Sequence, residues 1–217
     1  MSETIQAVIW DFGGVVTTSP FEAFNRYEAE AGLPPDFIRS VNARNGDTNA
    51  WARLERSELT ADEFDRLFAK ESHALGHEVP GKDVLALLSG ALRPKVVDAL
   101  KLCKSRAKVG CITNNAPVGK GAGMSADESK ARNVSAVLSL FDHVIESSKI
   151  GIRKPDPRIY ALMCEALEVE PAHCVYLDDL GINLKPARAM GMTTIKVTSA
   201  DQLLQDLAEA TGYPILM

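Results

Sequence analysis

Short apolar runs that end in polar residues recur along this chain and alternate with patterns of helical spacing. The apolar runs predict strands at residues 5–10, 109–113, 143–146, 174–178 and 193–197. Helical patterns begin at Pro94, Asp127, Asp156, Gly181 and Ala200. Such alternation is typical of a parallel sheet with helices on both faces. The predicted fold class is therefore α/β, with a Rossmann-like, doubly wound parallel sheet.

Residues 17–92 interrupt this alternation. They show helical patterns at 21–31, 36–43, 50–56, 61–75 and 82–88, without a convincing strand. Thr60 and Glu63 form the capping-box pattern at the start of the fourth of these. The sequence thus predicts a core of residues 1–16 and 93–217, with a helical cap of residues 17–92 inserted after the first strand. A module inserted there lies above the carboxyl edge of that strand, where a lid would be.

Composition limits the partners that we expect. The 217 residues are 46% hydrophobic and 24% charged, and no apolar run approaches the ~20 residues of a membrane span. A net charge of −5 without a Lys/Arg run argues against nucleic-acid binding. The four cysteines show no Cys-x-x-Cys spacing, and no leader pattern opens the chain. We expect a cytoplasmic protein that binds neither membrane nor nucleic acid; monomer and homodimer both remain open.

Polar residues follow four of the predicted strands. They are Asp11 in a glycine turn, Thr113-Asn114, Lys154 before Pro155, and the pair Asp178-Asp179. Each signal is weak alone, because turn chemistry, surface charge or a helix N-terminus explains it equally well. Together they meet at one edge of a parallel sheet, where open α/β sheets bind ligands. Acids crowded there need a cation or a proton, and oxygen ligands without nearby His or Cys favour Mg²⁺.

In this combination the chain resembles the haloacid dehalogenase (HAD) superfamily of hydrolases over almost its whole length. The segment Asp11-Phe12-Gly13-Gly14-Val15 resembles the first motif of that family, and Thr113-Asn114 the second. Lys154-Pro155 resembles the third motif, and Asp178-Asp179 with Asn183 the fourth. Residues 177–188 further resemble the N-terminal phosphatase domain of soluble epoxide hydrolases.

The resemblance implies a Mg²⁺-dependent phosphomonoester hydrolase acting on a small phosphorylated metabolite. Asp11 would be the nucleophile and form an aspartyl-phosphate. Mg²⁺ would be held by the Asp11 carboxylate, the Gly13 carbonyl and Asp178.

The resemblance also implies which residues bind the phosphate. The phosphate oxygens would be bound by Lys154, by the Thr113 hydroxyl and by a backbone or side-chain N–H of Asn114. The resemblance gives Lys154 a catalytic role as well. Asp179 and Asn183 would support this site.

One position departs from the family pattern, which has a second Asp two residues after the nucleophile, where this chain has Gly13. In that family this residue is the general acid, and its absence leaves three outcomes. The substrate has a leaving group that needs little protonation, a water or a cap side chain substitutes for the acid, or turnover is slow or absent. Four cap residues are candidates for a substitute general acid, but each is expected to be a solvated helix residue: Asp47, Glu55, Glu58 and His73. Two alternative functions stay open, a 2-haloacid dehalogenase and a non-catalytic phospho-ligand-binding module.

Overall fold

Five parallel strands form the centre of the molecule. The computed structural model describes residues 4–119, 123–125 and 127–215, so the outer ends of the predicted core, residues 1–3 and 216–217, lie outside the described residues. The strands are β1 (Ala7–Trp10), β2 (Lys108–Thr113), β3 (His143–Glu146), β4 (Cys174–Asp178) and β5 (Thr193–Lys196). Their order in the sheet is β3-β2-β1-β4-β5, and every neighbouring pair is parallel. The chain therefore winds outward from β1 in both directions, which confirms the doubly wound prediction.

Five of the helices between β1 and β2 lie within residues 17–92. They are α1 (Pro20–Glu30), α2 (Phe37–Ala43), α3 (Ala50–Glu55), α4 (Ala61–His73) and α5 (Gly81–Ala86). Their apolar faces share one hydrophobic cluster, which includes Phe24, Phe64 and Phe68. This cluster is separate from the two that flank the sheet, and Ala116, which follows β2, also belongs to it. Residues 17–92 are thus mainly helical, and their role as a cap stays a prediction.

Local side chains explain where the cap helices begin. The predicted capping box is present, with the Thr60 hydroxyl and the Glu63 carboxylate each bonding to the other residue's backbone N–H. Helix α2 lacks such a cap, because Asp36 has a left-handed φ of 62° and makes no side-chain capping bond. The buried Glu28 carboxylate instead accepts the N–H groups of Asp36 and Ile38 at 2.9 and 2.8 Å. A residue from α1 therefore completes the start of α2.

The two connections between cap and core run side by side. Thr17 pairs with Leu92 in an isolated antiparallel bridge, and the Thr18 N–H donates to the Ala91 carbonyl at 2.8 Å. The segment that leads from the core into the cap is thereby bonded to the segment that leads back.

Within the described residues, six further α-helices complete the core. They are α6 (Pro94–Lys104), α7 (Glu128–Leu138), α8 (Ser147–Ile150), α9 (Pro157–Leu167), α10 (Gly181–Ala189) and α11 (Ala200–Thr211). Helices α6, α7 and α11 contribute to the hydrophobic cluster on one face of the sheet, and α9 and α10 to that on the other. The short α8 was not predicted, and β1 begins two residues later than the predicted strand. Within the described ranges, every helix is too short or too polar to cross a lipid bilayer.

Candidate active site

The carboxyl ends of β1 and β4 bring two of the predicted acids together. These strands are neighbours in the sheet, with Trp10 opposite Leu177. The Asp11 N–H donates to the Leu177 carbonyl at 2.8 Å, one residue before Asp178. Because the chain leaves β1 in both directions, this edge is the switch point where doubly wound sheets form their binding crevice.

Lys154 joins the two acids. Its Nζ lies 2.8 Å from Asp11 Oδ1 and 2.8 Å from Asp178 Oδ2, and its side chain is only 1% exposed. Burial by itself would lower the pKa of Lys154, but the carboxylates of Asp11 and Asp178 raise that pKa above its ordinary value. The lysine is therefore a fixed positive charge at the centre of the site.

The Asp178 carboxylate is held by a dense set of donors. Its Oδ1 accepts the Leu180 N–H at 2.8 Å and the Asn183 Nδ2 at 3.0 Å. Its Oδ2 accepts Lys154, Asn183 and the Tyr176 hydroxyl. Asn183 therefore bonds directly to both oxygens of the Asp178 carboxylate.

Sequence reasoning missed Tyr176, although strand alternation contains a signal for it. Tyr176 and Asp178 are two residues apart in β4 and share one face of the sheet. The Tyr176 ring also lies 6.0 Å from the Lys154 Nζ.

Asp179 approaches from the same edge. Its Oδ2 accepts the Ser19 hydroxyl, at the start of the cap, at 3.4 Å. A Cβ added to Gly14 would lie 2.2 Å from this oxygen, and Gly14 has a φ of +81°. The turn after Asp11 therefore needs glycine at position 14 for both backbone conformation and space. Burial, together with the Asp178 charge, raises the pKa of Asp179 to about 6.

The three acids fit a metal ion. One carboxylate oxygen from each of Asp11, Asp178 and Asp179 lies within 4.8 Å of the others. Burial raises the pKa of Asp11 well above its ordinary value, and the charges of Asp178 and Asp179 raise it further, despite the opposing effect of Lys154. Three crowded carboxylates facing one ammonium leave the site with excess negative charge, and an all-oxygen set suits Mg²⁺.

Thr113 and Asn114 follow β2, the other neighbour of β1. Thr113 is buried at the strand end. The Asn114 side chain pairs with the Lys154 peptide: its Oδ1 accepts the Lys154 N–H at 2.8 Å, and its Nδ2 donates to the Lys154 carbonyl at 3.0 Å. The side-chain N–H group of Asn114 is thus engaged within the protein. The backbone N–H of Asn114 is the donor that remains as a candidate for binding phosphate.

Gly13 occupies an ordinary backbone conformation. Its φ of −70° and ψ of 128° are open to any residue. A Cβ added there meets nothing within 4 Å. Unlike Gly14, this glycine is not required by the turn. The site therefore has room for an acidic side chain at position 13, although the sequence does not supply one.

The four cap residues considered as substitute acids lie in different surroundings. His73 is exposed beside Glu78, and Glu58 pairs with Arg56. Asp47 lines a cleft of about 480 Å³ between the cap and residues 151–158, which contains none of the three clustered acids. The expectation of a solvated helix residue is wrong for Asp47 and Glu58, because both lie in the connections between helices. It is also wrong for Glu55, whose side chain is only 8% exposed. The reason is an ion pair with Arg153 of the core, which lies 98 positions away in sequence.

Comparison with known proteins identifies the family. The family model described as haloacid dehalogenase-like hydrolase matches residues 5–191. The chain belongs to this family of hydrolases.

Three curated relatives are similar over nearly the whole chain. Acyl-CoA dehydrogenase family member 10 of Mus musculus is 31% identical over 97% of this chain, and bifunctional epoxide hydrolase 2 of Sus scrofa is 32% identical over 98%. The chain spans only 19% and 40% of the lengths of these two proteins. Phosphatase MT3486 of Mycobacterium tuberculosis is 31% identical, and the match covers 92% of this chain and 90% of that protein.

A solved structure shares the fold. A HAD family enzyme of Bacteroides thetaiotaomicron, in complex with magnesium and inorganic phosphate, superimposes with a TM-score of 0.58 and 18% identity. The match covers 89% of this chain and 94% of that one.

Proposed function

We propose that this hydrolase is a Mg²⁺-dependent phosphomonoesterase that acts on a small phosphorylated metabolite through an aspartyl-phosphate at Asp11. The observation that carries the proposal is the buried Lys154 held at 2.8 Å between Asp11 and Asp178. This arrangement combines a carboxylate nucleophile with a fixed cation at the place where a phosphate would accumulate charge. A relative named as a phosphatase and matched over 90% of its length supports the same assignment.

The two oxygens of Asp11 have different surroundings. Oδ1 accepts the Phe12 N–H at 2.7 Å and the Lys154 ammonium. Oδ2 has neither of these bonds, so it is the oxygen that we assign to attack on phosphorus. The new bond joins Oδ2 to phosphorus while the ester P–O bond breaks, and the departing alkoxide takes a proton from water. Water then hydrolyses the acyl phosphate, which releases inorganic phosphate and restores the carboxylate.

The residues that would hold Mg²⁺ are Asp11, Asp178 and the Gly13 carbonyl, with Asp179 in support. When bound, the ion would reduce the repulsion between the negative charges of the Asp11 carboxylate and the phosphate. Within the chain itself, Asp178 is fixed by Asn183 and Tyr176 and therefore presents its carboxylate in one orientation.

The phosphate oxygens would be bound by Lys154, the Thr113 hydroxyl and the Asn114 backbone N–H. The raised pKa of Lys154 keeps this side chain charged throughout the physiological pH range. Phosphoryl transfer depends mainly on such positioning and charge stabilisation. Residues 17–92 would act as the cap that covers this site, with its two connections joined at Thr17 and Leu92.

Phosphate release from p-nitrophenyl phosphate tests the proposal. We expect turnover with Mg²⁺, none after chelation with EDTA, and none in Asp11→Asn, whose amide is not a nucleophile. No release above Asp11→Asn across a broad panel of phosphate esters would reject the phosphatase. Mg²⁺-dependent phosphate binding without turnover would then favour the phospho-ligand-binding module. Halide release from 2-haloacids would instead indicate the dehalogenase.

A further inference from the structure

A buried carboxylate of the cap contacts the core beside Lys154. Glu55, the last residue of α3, accepts the Arg153 Nε at 2.6 Å and the Asn114 Nδ2 at 3.4 Å. Its other oxygen, Oε1, accepts the Trp51 indole N–H at 2.9 Å within the cap. One cap residue thus bonds to two core residues, one directly after β2 and one in the connection between α8 and α9.

Both core partners determine where the Lys154 backbone lies. Asn114 bonds to the N–H and to the carbonyl of Lys154. Arg153 is the preceding residue, and its Nη1 also donates to the cap carbonyl of Gly46 at 3.0 Å. The position of the Lys154 peptide is therefore linked on two sides to groups that Glu55 holds.

We propose that Glu55 is a positioning residue that couples seating of the cap to placement of Lys154. With the cap seated, the Glu55 carboxylate fixes Arg153 and Asn114, and these hold Lys154 Nζ between the two acids. With the cap displaced, both core partners lose their shared acceptor. Lys154 then becomes less well placed for phosphate. This inference rests on the proposed phosphatase function.

The bonding partners of Glu55 argue against a role as the substitute general acid. Its two oxygens accept three donors, one of them a guanidinium, so both oxygens are already engaged as acceptors within the protein. A general acid needs a proton to donate and reach to the leaving group. Charge-assisted bonds of this kind instead fix geometry.

Two neighbouring residues provide matched controls. Ser57 makes another bond between cap and core, from its hydroxyl to the Ser148 carbonyl at 2.6 Å, without touching Asn114 or Arg153. Glu58 forms an exposed pair with Arg56 inside the cap. Ser57→Ala therefore removes one bond between cap and core while leaving the contacts of Glu55 in place, and Glu58→Gln removes an exposed carboxylate of the cap.

The experiment compares Glu55→Gln with both controls in aryl phosphate turnover. We expect Glu55→Gln to lower kcat about 10- to 100-fold, as misplacement by an ångström does, while both controls stay within about twofold of the parent. Glu55→Asp, which keeps the carboxylate on a shorter side chain, should recover part of the loss. Arg153→Gln combined with Glu55→Gln should be no slower than the slower single variant, because both remove the same link.

A second readout separates this inference from the proposed function. Calorimetric titration with inorganic phosphate in the presence of Mg²⁺ requires no turnover. We expect weaker phosphate binding in Glu55→Gln and unchanged binding in Ser57→Ala, with both variants folded by circular dichroism. Equal effects of the two substitutions on kcat and on phosphate affinity would overturn the positioning role. If the parent binds phosphate but hydrolyses no ester, the proposed function fails, and the binding comparison alone decides the role of Glu55.

Discussion

Restoring a carboxylic acid at Gly13 should accelerate this enzyme on poor leaving groups. The backbone there has a φ of −70° and a ψ of 128°, and an added Cβ meets nothing within 4 Å. Gly13→Asp should therefore fold without steric strain. General acid catalysis typically contributes ~10² to 10⁴-fold, equivalent to about 2.7–5.4 kcal/mol in the barrier.

The gain depends on whether the new acid keeps its proton. The nearby Asp179 has a pKa raised to about 6 by burial and by Asp178. A carboxyl at position 13 would be close to the same charges, which also favour its protonated form. Bound Mg²⁺ would offset part of these charges and so reduce the protonated fraction. We therefore discount the full effect about tenfold and expect a kcat increase of roughly 10- to 10³-fold at pH 6.

The assay is phosphate release from an alkyl ester, such as glycerol phosphate, at pH 6 with saturating Mg²⁺. Gly13→Asn, which has the same shape without an acidic proton, and Gly13→Ala are the controls. The increase should be much smaller with p-nitrophenyl phosphate, whose leaving group needs little protonation. A folded, Mg²⁺-binding Gly13→Asp no faster than Gly13→Asn on the alkyl ester would refute the view that this enzyme lacks only its general acid.

Four further predictions follow from the geometry of the site. The parent enzyme should show a higher kcat/KM for aryl, acyl or anomeric phosphates than for simple alkyl esters, because it lacks an acid at Gly13; equal or better values on alkyl esters would contradict this. Gly14→Ala should lower the free energy of unfolding by about 1–3 kcal/mol in urea titrations, since its φ of +81° and the Asp179 oxygen 2.2 Å from the added Cβ disfavour any side chain. Mg²⁺ should bind more tightly as pH rises from 5 to 7, because the raised pKa values mean that a proton must leave Asp11 before it becomes a ligand and must leave Asp179 before its charge supports the site; a pH-independent Kd in calorimetry would argue against these roles. Burial raises the pKa of the Cys111 thiol, so this residue should resist alkylation at pH 8 in the native protein and react after unfolding; rapid native labelling would contradict its burial.

The strand pattern was enough to predict the sheet because each buried strand is a local apolar run. The five predicted strands all exist, and their polar ends meet at one edge, as parallel pairing requires. Asp11 and Asp178 could be paired from sequence since both directly follow or end such runs. The register of β1 against β4 then fixes their proximity.

The links between cap and core could not be predicted in this way. Glu55 has the local pattern of an exposed helix residue, and its burial depends on Arg153, which is distant in sequence. The bonds of Asn114 to the Lys154 peptide likewise depend on how the end of β2 meets the connection between α8 and α9 in space. The start of α2 was also hidden, because its cap is Glu28 on another helix. Periodicity reports which face of an element is buried, whereas these contacts depend on how separate elements pack.

The most direct test of the central claim is chemical trapping of the aspartyl-phosphate. The enzyme would be mixed with p-nitrophenyl phosphate and Mg²⁺, quenched in acid and reduced with borohydride, which converts an acyl phosphate of aspartate to homoserine. Peptide mass spectrometry should then find homoserine at position 11, and only when both substrate and Mg²⁺ are present. Steady phosphate release with Asp11 unmodified, or with Asp11→Asn as active as the parent, would contradict the assignment of Asp11 as the nucleophile.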